Sequence, residues 1–240
     1  MACRTLLAAL LLVWGLLAQA GEIAATIMFA SGAPRLIAAD GGERPARQGG
    51  TVHAGDTLDT RDGRVQLSFR DGASMSLQPA TRFRVDDYVF TGESGKAAAS
   101  DRGFFSLLRG GFRTLTGLIG KERRDQYRVE TSVATIGIRG TAYTAQLDDQ
   151  GLQVRTQAGR VSVCNAAGCI EVGPGEATSV GRPDERPRLQ TAVSQPLAVG
   201  APALPTPEPT RSPEVPVQQS PAHSPYSPYP SGPAHYQSPN

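Results

Sequence analysis

The chain has 240 residues, 39% hydrophobic, 19% charged and 6% aromatic, an apolar content that excludes a wholly disordered protein. Its 24 basic and 22 acidic residues are interspersed rather than blocked, so no basic face of a nucleic-acid binder can be read from it. Of 19 prolines, thirteen fall beyond residue 189, and the longest apolar run is residues 5–18, which leaves residues 22–185 as foldable, enough for one ordinary domain.

Residues 1–20 carry an early positive charge at Arg4, an apolar stretch over Leu6 to Leu17, and the small-residue ending Ala18-Gln19-Ala20. This is the three-part layout of a secretory signal peptide cut between Ala20 and Gly21. An uncleaved membrane anchor is the alternative, but the apolar run is shorter than the ~20 residues that span hydrocarbon. Cys3 precedes that run, so the cleavage point offers no cysteine for a lipid. The expected location is beyond the cytoplasmic membrane, with no stable membrane span after cleavage. Residues 21–49 read as a lead-in segment.

From residue 50 the pattern is period-two alternation, broken every eight to twelve residues by Gly or Asp-Gly, which predicts an all-β domain over residues 50–185, a compact sandwich or roll of short antiparallel strands. Val65, Leu67 and Phe69 alternate with polar neighbours, Asp71-Gly72 turns the chain, and Ala73, Met75 and Leu77 continue the pattern as a hairpin. Further apolar faces are Phe83 and Val85; Tyr127 and Val129; Tyr143, Ala145 and Leu147; Leu152 and Val154; Val161 and Val163. Residues 91–102 read as a loop. The stretch from Gly103 to Gln126 mixes helical spacing with glycines that oppose a helix, and is expected to be a short strand followed by an irregular turn.

Cys164 and Cys169 are the two cysteines left after signal removal, in a compartment where a disulfide persists. They flank four turn-forming residues within an alternating segment, so they are expected to face each other across a hairpin and to be joined; two unpaired buried thiols are the alternative. Residues 186–240 are Pro-rich and read as a disordered tail.

The string from Gly55 to Val85 resembles the first half of the FecR domain, a β-rich extracytoplasmic module with a Gly-Asp, a strand, an Asp-Gly turn and a second strand. The strings from Gly110 to Gly120 and from Val129 to Tyr143, and the cysteine hairpin with its EVGPGEAT ending, are similar to secreted FecR-domain proteins of Gram-negative bacteria. ATIGIRGT at residues 134–141 is the most specific part, and the resemblance spans about residues 50–181. The founding members regulate sigma factors through a cytoplasmic segment and one membrane helix. This sequence shows no such segment before its apolar run, so the resemblance implies only the module: a periplasmic domain that contacts another macromolecule.

The acidic residues offer chemistry that has to be weighed against turns. His53 is followed by Asp56, Asp59 and Asp62 at three-residue intervals, which in an extended chain alternate faces and do not converge on a metal. They read as turn-capping carboxylates. The pairs Asp86-Asp87 and Asp148-Asp149 read as solvated loop acids rather than a catalytic couple. No nucleophile elbow, zinc-binding His pair or phosphate loop is present. Neither catalysis nor a cofactor is expected.

Within the family-like string, Arg139 lies between Gly137 and Gly140, whose missing side chains suit a close backbone approach. Its planar fork is expected to form an internal clamp on a carboxylate or carbonyl, locking two layers; the alternative is a carboxylate on a partner or ligand. Thr141 reads as a strand residue. The function expected is envelope sensing or signalling by macromolecular contact, through a partner protein; the alternative is a binding or scaffold role on cell-wall or surface polysaccharide. The lack of tryptophan outside the signal, where Trp14 lies, weakens the latter.

Overall fold

The computed structural model describes residues 21–92 and 95–190, and within them fifteen strands join in one sheet. The signal peptide, including Ala20, and the tail beyond residue 190 lie outside the described residues. Gly21, the first described residue, is exposed.

The fold is all-β. Strands β6 (Val65–Phe69) and β7 (Ser74–Leu77) follow their alternation, burying Val65, Leu67, Phe69, Met75 and Leu77. They pair antiparallel across the Asp71-Gly72 turn, with Val65 opposite Leu77.

Strand β9 (Arg102–Leu115) is the spine. Its first half lies between β8 (Arg82–Val89), antiparallel, and β10 (Tyr127–Glu130), parallel. Its second half lies between β7 and β11 (Thr135–Asp148). From β8 the sheet continues through β5 (Thr57–Asp59) and β2 (Arg35–Ile37) to β3 (Glu43–Pro45); from β7 it continues through β6 and β1 (Ile23–Ala30) to β4 (Thr51–His53). The two wings bring their apolar faces together. Phe69 of β6 packs on Tyr88 of β8 at 5.7 Å and on Phe105 of β9 at 5.5 Å between ring centroids, and Phe83 of β8 packs on Phe112 at 5.6 Å. The result is a roll with one aromatic core.

On the other side, β11 forms a long hairpin with β12 (Gly151–Asn165), which is flanked in turn by β13 (Gly168–Val172) and by β14 (Ala177–Val180) and β15 (Arg188–Gln190).

Three expectations change. Residues 21–49 are not a lead-in but supply β1, β2 and β3, with Ala24, Ala25 and Ile27 buried, because β6 needs an apolar partner on its free edge. The Gly103–Gln126 stretch holds all but the first residue of the 14-residue β9, then helix α1 (Leu118–Glu122) and a 3-10 turn (Arg124–Gln126). Its glycines bend the strand rather than end it, and the short crossover that follows makes β10 parallel to β9, where only antiparallel strands were expected. The tail boundary at 186 also moves, since β15 pairs with β14 at Ser179 opposite Arg188.

Candidate functional site

The outer face of the β9–β13 region carries one row of side chains in register: Phe104, Arg128, Gly137, Ser162 and Glu171. The Arg128 guanidinium sits 3.7 Å over the Phe104 ring, and its Nε donates to Glu130 Oε1 at 2.8 Å. Two residues along β11 and β12, Arg139 stands directly opposite Arg160. Directly opposed residues share a face and their side chains are close, so this is a like-charge pair on the exposed surface.

The edge of β11 has a gap. Its Thr135–Gly137 segment pairs with β10 and its Ala142–Leu147 segment with β9, and between them α1 takes the place of a strand. Gly120 of α1 lies so close to β11 that a Cβ there would sit 2.5 Å from Ile138 Cδ1. Lys121 packs along Gly140, its Cγ 3.5 Å from where a Gly140 Cβ would stand. Between this wall and the sheet runs a groove of about 510 Å³ lined by Lys121, Glu122, Arg124, Asp125, Gly137, Arg139, Ser162 and Glu171.

The wall is fastened from inside. The Asp71 backbone carbonyl accepts the Leu118 N–H at 2.9 Å, and its Oδ2 accepts the Ile119 N–H at 3.3 Å, while Oδ1 accepts the Ala73 N–H at 3.1 Å. The Tyr88 hydroxyl accepts the Asp71 N–H at 3.0 Å. Burial pushes the Asp71 carboxyl above the usual carboxylate range, and these hydrogen bonds offset only part of that. Burial likewise pushes the Tyr88, Tyr127 and Tyr143 phenols up.

Of the residues singled out in the sequence, Gly137 and Arg139 line this groove, and Gly140 lies against its Lys121. The internal clamp expected of Arg139 is absent: the side chain is exposed, and among the described residues it makes no hydrogen bond or ion pair. The reason is register, which puts Ile136 and Ile138 inward and residues 137 and 139 outward. Nor does a backbone of this chain approach Gly137, where an added Cβ would find nothing nearer than Ser162 Cβ at 3.9 Å. Gly140, at φ +61°, belongs to a bulge between Arg139 and Ala142 opposite Gly159. Thr141 is buried in β11, its N–H donating to Thr116 Oγ1 at 2.8 Å and its carbonyl accepting the Thr116 N–H at 3.0 Å.

The remaining residues are dispersed. Cys164 and Cys169 are opposite each other on β12 and β13 and joined by a disulfide, with Cα atoms 4.1 Å apart. Asp56 is buried in the turn after β4, accepting the His53 N–H at 2.9 Å and Arg44 Nη2 at 3.3 Å. Asp59 accepts the Arg61 N–H at 3.1 Å, and Asp62 lies in the turn beyond. Asp86 pairs with Arg84 and Ser106, and Asp87 with Arg102, so both are neutralised on β8 rather than in a loop. Asp148 caps its own turn through the Gln150 N–H at 2.8 Å, beside Asp149.

Arg160, Lys121, Arg124, Ser162 and Glu171 were not legible as site residues from their local sequence. The signal for Arg160 was there in the hairpin register: it lies nine steps beyond Gly151, as Arg139 lies nine steps before Asp148.

A family model described as FecR protein matches residues 56–162, which holds β5–β11, α1 and most of β12. No curated protein matches the chain. Two crystal structures of a candidate anti-sigma factor from Parabacteroides distasonis resemble it, at 15% and 16% identity and TM-scores of 0.45 and 0.42. The matches cover 56% and 55% of this chain, which spans only 59% and 56% of those chains. The residues that line the groove up to Ser162 fall within the matched segment, and the chain carries a FecR domain.

Proposed function

We propose that this chain is a non-enzymatic, extracytoplasmic sensing or signalling protein that acts by contact with another macromolecule of the cell envelope. The observation that carries the reading is the FecR match over residues 56–162. The Cys164–Cys169 disulfide supports an oxidising compartment, and no helix among the described residues is long and apolar enough to cross a membrane. The experiment is fractionation of cells producing the full chain, with intact-mass measurement. Protein that starts at Gly21 in the osmotic-shock fraction agrees with the reading; cytoplasmic protein retaining residues 1–20 overturns it.

A second reading is polysaccharide binding. It is favoured by a separate outer face where half-exposed Phe29 stands in a row with Gln66, Ser76, Arg113 and Thr144 across five strands, an amphipathic platform suited to sugar rings.

A further inference from the structure

We infer that the groove over Gly137 holds an extended peptide segment of a protein partner, with an acidic side chain of that segment seated on Arg139 and Arg160. This assigns a place and a chemistry to the contact function proposed above, on which it rests. Arg139 and Arg160 are both exposed, directly opposed, and without an ion pair among the described residues. Like charges so placed destabilise a sheet unless an anion comes between them. Two guanidinium groups on one face offer a carboxylate bidentate hydrogen bonding from either strand. Lys121 and Arg124 add two further cations on the facing wall.

Gly137 provides the room. Its backbone is ordinary strand and no neighbour would obstruct a side chain, so the open floor is not forced by packing. The row from Phe104 to Glu171 crosses five strands, about 19 Å at the usual spacing, which matches about six extended residues.

The signs in the groove distinguish a peptide from a uniform polyanion. Glu122, Asp125 and Glu171 stand beside the cations, and of these Glu122 is held by the Ala97 N–H at 2.9 Å. A polymer of phosphates or uronic acids laid along the groove would meet these carboxylates in turn. A peptide can place an acid on Arg139 and Arg160 and a basic or amide group on Glu171.

The test is photo-cross-linking in cells producing the full chain, with p-benzoylphenylalanine at Ser162 in the groove and, separately, at Gln66 on the far outer face. The expected result is a protein adduct at Ser162 whose linked peptide carries Asp or Glu, reduced about tenfold or more by Arg139→Glu. Arg160→Glu, the same change from the other strand, must give the same loss. Each variant turns a like-charge pair into an opposite one, so its melting temperature should not fall and lost adduct cannot be put down to lost fold. A Ser162 adduct insensitive to both variants, or one made with polysaccharide, overturns the inference. Protein adducts at Gln66 alone overturn the groove and leave the contact function standing, whereas no macromolecular adduct at either position overturns both.

Discussion

Two glycine sites, the Gly110-Gly111 corner of β9 and Gly137 on β11, look alike in sequence and do opposite work. At the corner, Gly110 has φ +79°, and a Cβ would sit 2.5 Å from Thr81 Cα and 2.6 Å from the Ala80 carbonyl oxygen. At Gly111 a Cβ would sit 2.9 Å from the Ala145 carbonyl oxygen. The chain passes its own backbone here because β9 leaves β8 and β10 for β7 and β11, and only a missing side chain permits it. Gly137 is under no such constraint. A glycine that the fold does not require, on a strand where glycine costs stability, marks space kept open over the surface.

The largest consequence falls at the corner. Gly110→Ala should cost about 3 kcal/mol or more, from overpacking against backbone together with positive-φ strain, measured by urea unfolding. An unchanged unfolding midpoint would show that the corner can relax and would dissolve the contrast between the two sites.

The disulfide holds the far side of the groove, since β13 carries Glu171 and, among the described residues, pairs only with β12. Replacing both Cys164 and Cys169 by Ser should cost about 2 kcal/mol, the chain-entropy value for so short a loop. The hairpin end has a second tether in Asn165, whose Nδ2 donates to the Glu185 carbonyl at 2.6 Å, so local hydrogen exchange should rise in residues 164–170 with the rest of β12 still protected.

On the inner side, two buried aspartates sharpen the same lesson about packing. Burial raises the Asp71 carboxyl; at Asp101 burial pulls the same way, but hydrogen bonds from the Thr91 N–H at 2.8 Å, the Ala98 N–H at 2.7 Å and the Thr91 hydroxyl at 3.0 Å outweigh it and lower the pKa. The signs therefore differ. Asp71, raised on folding, contributes stability that is present below the ordinary carboxylate pKa and lost as pH rises through its folded value; Asp101 contributes stability present above the ordinary value and lost as pH falls through its folded value. Asp71→Asn should cost about 1 kcal/mol in acid, where one of two accepted N–H groups loses its partner. It should also remove part of the decline in stability as pH rises from the ordinary carboxylate range through the raised folded value of Asp71. Melting curves across that range check it, and a variant parallel to the wild type at every pH would place Asp71's ionisation outside the folding equilibrium.

At Gly137 the expected sign reverses. Gly137→Ala should be neutral or stabilising by about 0.5 kcal/mol, because the strand gains a β-capable residue with no clash. A loss comparable to that of Gly110→Ala would mean the floor is structurally required after all.

How much of this was legible follows from the range of each signal. Alternation is local, so β6, β7, β11 and β12 could be read directly from residues such as Val65, Leu67, Tyr143 and Val154. β1 to β3 could not, because Ile27 and Leu36 are buried by strands distant in sequence, and in β1 the alternation is also broken by a register shift between Ile27 and Phe29. Arg139 was legible as notable but misplaced as an inward clamp. The pattern of Ile136 and Ile138 already set those positions inward and turned Arg139 outward. Arg160 needed one more step, counting the hairpin outward from the Asp149-Gln150 turn, and Lys121 and Arg124 needed the knowledge that a helix fills the gap in the β11 edge, which no local pattern encodes.

The smallest effect is also the most discriminating. Arg139 and Arg160 repel across the ladder, so Arg139→Glu or Arg160→Glu alone should each stabilise the protein by about 0.5 kcal/mol, and the double variant should return toward the wild-type value because it restores a like-charge pair. Salt provides a second check with opposite signs: screening should raise the wild-type and double-variant melting temperatures slightly and lower those of the single variants. Non-additivity of this form in a thermal-denaturation cycle would show that the two side chains sense each other across the open surface. Strict additivity would mean that the guanidinium groups avoid each other by reaching into solvent, and the groove would then present two independent cations rather than one paired seat for a carboxylate.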